Sequence, residues 1–129
     1  MRLRGPLAVT KTLSSTRTPP RGVSASIASV ENLAHRLKDL SHPSVAVPQA
    51  VFEHERKLVL VSRYIPGPHL GALLVRRGRF PAQVVAEIAR QLVEGLAELE
   101  ARDGIHGELS LSNIRLTSGG AAVLVDPGI

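Results

Sequence analysis

The stretch Gly104-Ile105-His106-Gly107-Glu108-Leu109-Ser110-Leu111-Ser112-Asn113-Ile114-Arg115-Leu116 decides the fold, together with Val123-Leu124-Val125-Asp126-Pro127-Gly128 shortly after it. A histidine is followed by an acid two positions on and by an asparagine five positions later. Two short strand-like runs, 114–116 and 121–125, then stand on either side of a Ser-Gly-Gly turn. The pattern predicts a polar loop that leads into a β-hairpin, and the hairpin ends at an Asp-x-Gly turn.

The upstream sequence predicts alternating strands and helices. Apolar and polar periodicity indicates a strand at 7–13, a linker over 14–26, a helix over 27–40 and a hairpin of strands 45–52 and 57–64. A Pro- and Gly-containing turn at 65–68 precedes a short helix over 69–77 that Gly78 closes. A long helix follows over 81–102, with its apolar stripe at Val84, Val85, Ile88, Leu92, Leu96 and Leu99.

Composition excludes several classes of protein. The chain of 129 residues is long enough for one ordinary domain, and the absence of cysteine excludes a disulfide scaffold and Cys-based metal sites. No apolar run approaches the ~18 residues of a spanning helix, and we expect a cytoplasmic protein. The net charge of +5 equals the contribution of the five cations that precede the first acid, Glu31. Without interleaved aromatic residues, this basic segment does not indicate nucleic-acid binding.

The order of these elements resembles a bacterial serine/threonine protein kinase. Leu37-x-x-Leu40-x-His42-Pro43 is similar to the end of helix C in that family, and the stretch 58–70 is similar to its hinge. The resemblance implies a partial α+β kinase-like fold: an incomplete antiparallel N-lobe sheet with helix C, a hinge, the first C-lobe helices and the catalytic-loop hairpin. It divides the chain into a basic segment with a Lys-bearing strand and flexible linker (1–26), a partial N-lobe (27–65) and the start of the C-lobe (66–129).

The resemblance also implies a nucleotide site. Lys11 matches the strand lysine that grips the phosphates of ATP, with a surface lysine as the alternative interpretation. Ser62 takes the gatekeeper position, and the backbone of Arg63, Tyr64 and Ile65 would face adenine. Arg115 stands where the family usually places an apolar side chain under the ring, which weakens the case for a bound nucleotide.

The catalytic and metal positions are matched only in part. His106 corresponds to the structural histidine of the catalytic loop, and Glu108 stands in place of the catalytic Asp. Asn113 and Asp126 match the two residues that hold Mg²⁺, an ion that binds through few carboxylates plus substrate phosphates. The resemblance therefore implies ATP and Mg²⁺ as cofactors.

Several further positions depart from the family. Gly107 replaces an Arg, Ser110 replaces the Lys that screens phosphate charge, and Pro127 replaces a Phe. Leu33 stands where the helix C Glu is expected, and Glu108 is one methylene longer than Asp, enough to misplace a reacting group. No glycine-rich loop precedes Lys11, and we expect the activation segment and lower helical bundle to be absent. These departures predict a truncated, degenerate domain with impaired or absent phosphotransfer.

Two alternatives remain open. The first is a pseudokinase scaffold that binds a protein partner through an exposed apolar face of helix 81–102, left uncovered where a lower bundle is missing. The second is an active serine/threonine kinase whose flanking sequence is missing from this chain.

Overall fold

The protein is an α+β structure of five strands and three α-helices in the residues described by the computed structural model: 7–14, 23–55, 57–102 and 109–125. In chain order the elements are β1 (Leu7–Ser14), α1 (Val23–Leu37), β2 (Pro48–His54), β3 (Lys57–Arg63), α2 (Leu70–Arg77), α3 (Ala82–Glu100), a 3₁₀ turn (Leu111–Asn113), β4 (Ile114–Leu116) and β5 (Ala122–Leu124). The predicted α+β class and the order of the elements are confirmed.

The first sheet has three antiparallel strands with β3 in the centre, flanked by β1 and β2. Strands β2 and β3 form the predicted hairpin, and its turn includes Glu55, whose φ of 48° lies in the left-handed region. Strand β1 is far from β3 in the sequence, and the register of their pairing shifts between Val9 and Lys11. The central strand is apolar because both its edges and at least one face are covered; Leu60 is fully buried.

Helix α1 begins at Val23, four residues before the predicted start, and ends at Leu37 rather than Leu40. Small residues in its first turns are compatible with a helix although their composition resembled a linker. At the other end, Leu40 donates its backbone N–H to the Leu37 carbonyl at 2.9 Å, so the chain turns out of the helix before His42-Pro43. Leu40 nevertheless stays buried in a cluster with Leu33, Leu37, Val45 and Leu99.

Helices α2 and α3 confirm the predicted punctuation. His69 precedes α2 and accepts a hydrogen bond from the Ala72 backbone N–H at its Nδ1, 3.0 Å away. Gly78 closes α2 with a φ of 71° and donates to the Leu74 carbonyl. Pro81 stands immediately before α3, where its missing N–H leaves no helical bond unmade.

The apolar stripe of α3 is only partly exposed, contrary to the expectation of an uncovered face. Ile88 and Leu99 are buried, Leu92 and Leu96 are half-buried, and all four pack on cores formed within this chain. The second of these cores also contains Leu70, Ile114, Ala122 and Leu124. Val84 and Val85 lie on the same helical face but remain 41% and 51% exposed, since the first turn of α3 projects beyond the core.

The segment 44–46, which follows α1, contacts both β5 and α3. The Ser44 carbonyl accepts from the Leu124 N–H at 2.8 Å, and the Ala46 N–H donates to the Leu124 carbonyl at 2.9 Å. Helix α3 approaches the same segment through Gly95, where a Cβ would lie 2.9 Å from Val45 Cγ2. The 44–46 segment is thus bound to β5 by two hydrogen bonds and packs closely against α3 at Gly95.

A charged network covers the outer side of α3. Arg90 bridges Glu87 and Glu94 with N–O distances of 2.6 and 2.7 Å. Hydrogen bonds from Arg90 and then Gln91 lower the pKa of Glu87 to about 2, and the bond to Glu87 raises the pKa of Arg90. These groups are exposed, so we assign the network little weight in the stability of the fold.

Candidate functional site

The hinge segment leaves the central strand β3 beside a buried polar residue. Ser62, near the end of β3, is 2% exposed. Beyond it the chain emerges: Arg63 and Ile65 are half-buried, and Tyr64 is 51% exposed. The backbone of 63–65, predicted to face adenine, therefore runs from the paired end of β3, where Arg63 lies opposite Leu7, into the more exposed segment that follows.

Lys11 is brought into the same sheet as the hinge. In the antiparallel pairing of β1 with β3, Lys11 lies opposite Leu60, two residues before Ser62. This register places Lys11 on the strand that neighbours β3, which leads into residues 63–65. The role of its ammonium group in phosphate binding stays a prediction.

Three contacts fasten the hinge exit to β4. The Arg115 guanidinium Nη1 donates to the Gly67 carbonyl at 2.9 Å, and the Leu116 N–H donates to the Pro68 carbonyl at 3.2 Å. His69 and Arg115 also form an antiparallel bridge. Gly67 has a φ of +116°, and a Cβ there would lie 2.2 Å from the Leu116 carbonyl oxygen. Only glycine fits this crossing of two backbones.

The Arg115 guanidinium group is therefore hydrogen-bonded to the hinge exit in this structure. Its half-buried side chain reaches back across the hairpin to a backbone carbonyl. An alkyl stem held in this way still offers apolar surface beside the hinge, while the guanidinium remains hydrogen-bonded.

The described part of the polar loop ends in a 3₁₀ turn. The Asn113 N–H donates to the Ser110 carbonyl at 3.0 Å, which closes the turn. The Ser110 and Ser112 hydroxyls are hydrogen-bonded at 2.9 Å, and both side chains are exposed. At the position of the expected lysine, the loop thus presents a neutral pair of hydroxyls.

The β4–β5 hairpin joins Asn113 to Val125, the last described residue before the predicted metal residue Asp126. The Val125 N–H donates to the Asn113 carbonyl at 2.9 Å, and Asp126 is the next residue in the chain. An amide oxygen and a carboxylate from such neighbouring positions are the oxygen donors that Mg²⁺ accepts. His106, Glu108 and Asp126 themselves lie outside the described residues, so their predicted roles stay predictions.

Gln91 supports this hairpin, a role that the sequence analysis did not identify. Its amide nitrogen donates to the Gly120 carbonyl at 3.2 Å, and its amide oxygen accepts from the Ala122 N–H at 2.8 Å. One side chain of α3 thereby satisfies both a turn carbonyl and a buried strand donor. Nothing in the helical periodicity distinguishes Gln91 from an ordinary surface glutamine.

Clusters of metal-binding side chains are absent from the part of the chain that the structure describes. Among residues 7–14, 23–55, 57–102 and 109–125, no group of three His, Asp or Glu side chains could hold a metal ion. Among the same residues, no helix has the length and apolarity needed to cross a bilayer.

Comparison with known proteins agrees with this architecture. A family model described as protein tyrosine and serine/threonine kinase matches residues 11–129. The mitogen-activated protein kinase kinase kinase mkh1 of Cytospora mali is 29% identical over 103 residues, which are 80% of this chain and 6% of that protein. Mitogen-activated protein kinase kinase kinase ANP1 of Arabidopsis thaliana is 31% identical over 104 residues. Mitogen-activated protein kinase kinase kinase 2 of the same organism is 30% identical over 104 residues. Each match includes 81% of this chain and 16% of the relative.

The chain thus spans a small share of the length of the relatives that it matches. The family match nevertheless includes β1 from Lys11 onward, helices α1, α2 and α3, and the sequence positions of Asn113 and Asp126. On this evidence the chain belongs to the protein tyrosine and serine/threonine kinase family and is related to the serine/threonine kinases of the mitogen-activated protein kinase kinase kinase type.

Proposed function

We propose that this chain is a pseudokinase-like domain that binds ATP with Mg²⁺ but transfers phosphate poorly or not at all. The observation that carries the proposal is the composition of one loop and hairpin. Asn113 is hydrogen-bonded to the residue before Asp126, whereas Ser110 in the same loop is a neutral hydroxyl bonded to Ser112.

The binding half of the proposal rests on the hinge and the hairpin. The backbone of residues 63–65 would exchange hydrogen bonds with a purine, and Lys11 on the neighbouring strand would supply a cation for its phosphates. Asn113 and Asp126 would hold Mg²⁺, which when bound neutralises phosphate charge. The kinase relatives support a nucleotide as the ligand.

The catalytic half rests on charge and reach. Phosphoryl transfer depends on positioned charges, because the protein itself does little covalent chemistry. Ser110 cannot supply the positive charge of the lysine it replaces. Glu108 reaches one methylene further than Asp, and a displacement of about 1 Å can lower a rate on the order of a hundredfold. The placement of this protein among bacterial kinases and its presence in the cytoplasm remain predictions from the sequence.

A thermal-shift titration tests binding. At tenfold excess over the dissociation constant, ATP with Mg²⁺ stabilises the folded form by about 1.4 kcal/mol and raises its melting temperature. The shift should require Mg²⁺ and should shrink in Asn113→Ala. Asn32→Ala is the matched control, because Asn32 is an exposed helical residue remote in sequence from the hairpin. An unchanged melting temperature for the wild-type chain would rule out the binding half.

Incorporation of radiolabelled phosphate tests catalysis separately. The proposal predicts that the wild-type chain labels itself no more than Asp126→Ala does. Labelling clearly above that control would show the chain itself to be an active kinase, and the catalytic half of the proposal would be wrong. Because binding and labelling are measured independently, failure of one half leaves the other interpretable.

A further inference from the structure

Beyond the basic N-terminal segment, basic and acidic residues are equal in number but unevenly distributed along the sequence. No Asp or Glu occurs from Arg56 to Ala86, a span that ends inside the first turns of α3. Within that span, three arginines stand in four positions at the end of α2: Arg76, Arg77 and Arg79. The total charge thus conceals a stretch of sequence whose Lys, Arg, Asp and Glu residues are all basic.

These arginines are exposed and uncommitted. Within the described residues, no ion pair or hydrogen bond engages their guanidinium groups. Arg76 and Arg77 lie in the last turn of α2, where cations interact favourably with the helix dipole. That effect does not account for Arg79, which follows Gly78 and lies outside the helix.

Exposed aliphatic side chains accompany the arginines. Val75 is 88% exposed, the highest value among the exposed large hydrophobic residues of the described chain. Val84 and Val85 lie in the first turn of the next helix, α3, and are also exposed. Between them, Phe80 is half-buried against the second core, so this region continues from the apolar interior to the surface.

We propose that this surface, the α2 basic patch formed by Val75, Arg76, Arg77, Arg79, Val84 and Val85, docks an acidic, aliphatic-bearing segment of a second protein. The proposal does not depend on nucleotide binding.

Charge and composition favour a polypeptide over other anions. The planar guanidinium group matches a carboxylate with two parallel hydrogen bonds, so closely spaced arginines suit closely spaced Asp and Glu side chains. The valines offer contact area to a Leu or Ile of the same segment, which a bare phosphate cannot use. Three arginines fall short of the ~4–8 basic residues typical of lipid-headgroup recognition. The patch also has no exposed aromatic ring on which a nucleobase could stack.

Fluorescence polarisation with the full chain tests the proposal. The probe is a fluorescein-labelled synthetic peptide in which Asp and Glu residues alternate with Leu. We expect saturable binding, lost when Asn and Gln replace the acids and weakened several-fold when Ser replaces the leucines. Arg76→Gln/Arg77→Gln should weaken binding about tenfold, as expected for two exposed guanidinium–carboxylate pairs.

The matched control is Arg36→Gln/Lys38→Gln, which removes the same charge from exposed positions at the end of α1. It should leave the affinity within about twofold, and circular dichroism should show both double variants folded. Equal losses in the two variants would mean that the peptide senses only the net charge, and the proposal would be wrong. So would the absence of saturable binding, or binding of anionic phosphatidylserine vesicles without binding of the peptide.

Discussion

Replacing Gly95 by alanine should destabilise the protein, although alanine is the better helix former. In an exposed helix interior, glycine to alanine stabilises by about 1 kcal/mol, because it reduces the freedom of the unfolded chain. At Gly95 the added Cβ would lie 2.9 Å from Val45 Cγ2 and 3.2 Å from the Ser44 carbonyl oxygen. The first distance is too short for two carbon atoms, so something must move.

Neither neighbour can move freely. Val45 is 4% exposed, and its branched side chain is restricted in its rotamers. The Ser44 carbonyl holds the Leu124 N–H at 2.8 Å, so a shift of this segment weakens its link to β5. Overpacking of this kind costs about 1–3 kcal/mol. Set against the gain of about 1 kcal/mol in helix propensity, we expect Gly95→Ala to lose about 1 kcal/mol, or roughly 4 °C in melting temperature.

Urea and thermal unfolding followed by circular dichroism measure the effect. Ala97→Gly, at an exposed position of the same helix, calibrates helix propensity and should cost about 1 kcal/mol by itself. A double-mutant cycle with Val45→Ala then isolates the contact. Removing Cγ2 should reduce the cost of Gly95→Ala by on the order of 1 kcal/mol.

Two results would refute this reasoning. If Gly95→Ala raises the melting temperature, the close approach of α3 to the 44–46 segment is wrong. If its cost is the same with and without Val45→Ala, the destabilisation does not arise from the Val45 contact.

The remaining predictions concern the hairpin and the hinge. Gln91→Leu should destabilise by about 1–3 kcal/mol in urea unfolding, because the buried Ala122 N–H loses its acceptor; a neutral effect would mean that water replaces the side chain. Gly67→Ala should cost more than Gly78→Ala, since both have positive φ but only the former places a Cβ against Leu116, whereas nothing lies within 4 Å of the latter. Equal losses would assign the whole cost to backbone conformation.

The sequence was sufficient for elements whose signals are local. The turn residues around α2 and the polar turn between the two strands of the hairpin predicted these elements, because caps and turns act between near neighbours. The first hairpin strand lies at 48–54 rather than at the predicted 45–52. The start of α1 was misplaced because its small and polar residues occur in linkers and helices alike. The 3₁₀ turn at 111–113 has no periodicity of its own and was missed.

Long-range contacts were beyond such reasoning. The amide of Gln91 satisfies Ala122 across 31 residues, and Arg115 reaches Gly67 across 48. The periodic stripe of α3 was predicted correctly as a face, but not how far other elements cover it. That extent depends on where the 44–46 segment and β5 lie relative to the helix.

The sequence by itself determined the family and the order of the elements, since these follow from local residue types and their spacing. It also identified the altered residues of the catalytic loop, Gly107, Glu108 and Ser110, which are matters of composition. Only the tertiary structure decided which apolar residues of α3 are buried, that Gly95 must be small, and that Val125 is bonded to Asn113 beside Asp126. These are contacts between distant segments, and their distances are set by packing of the whole chain rather than by any neighbour in sequence.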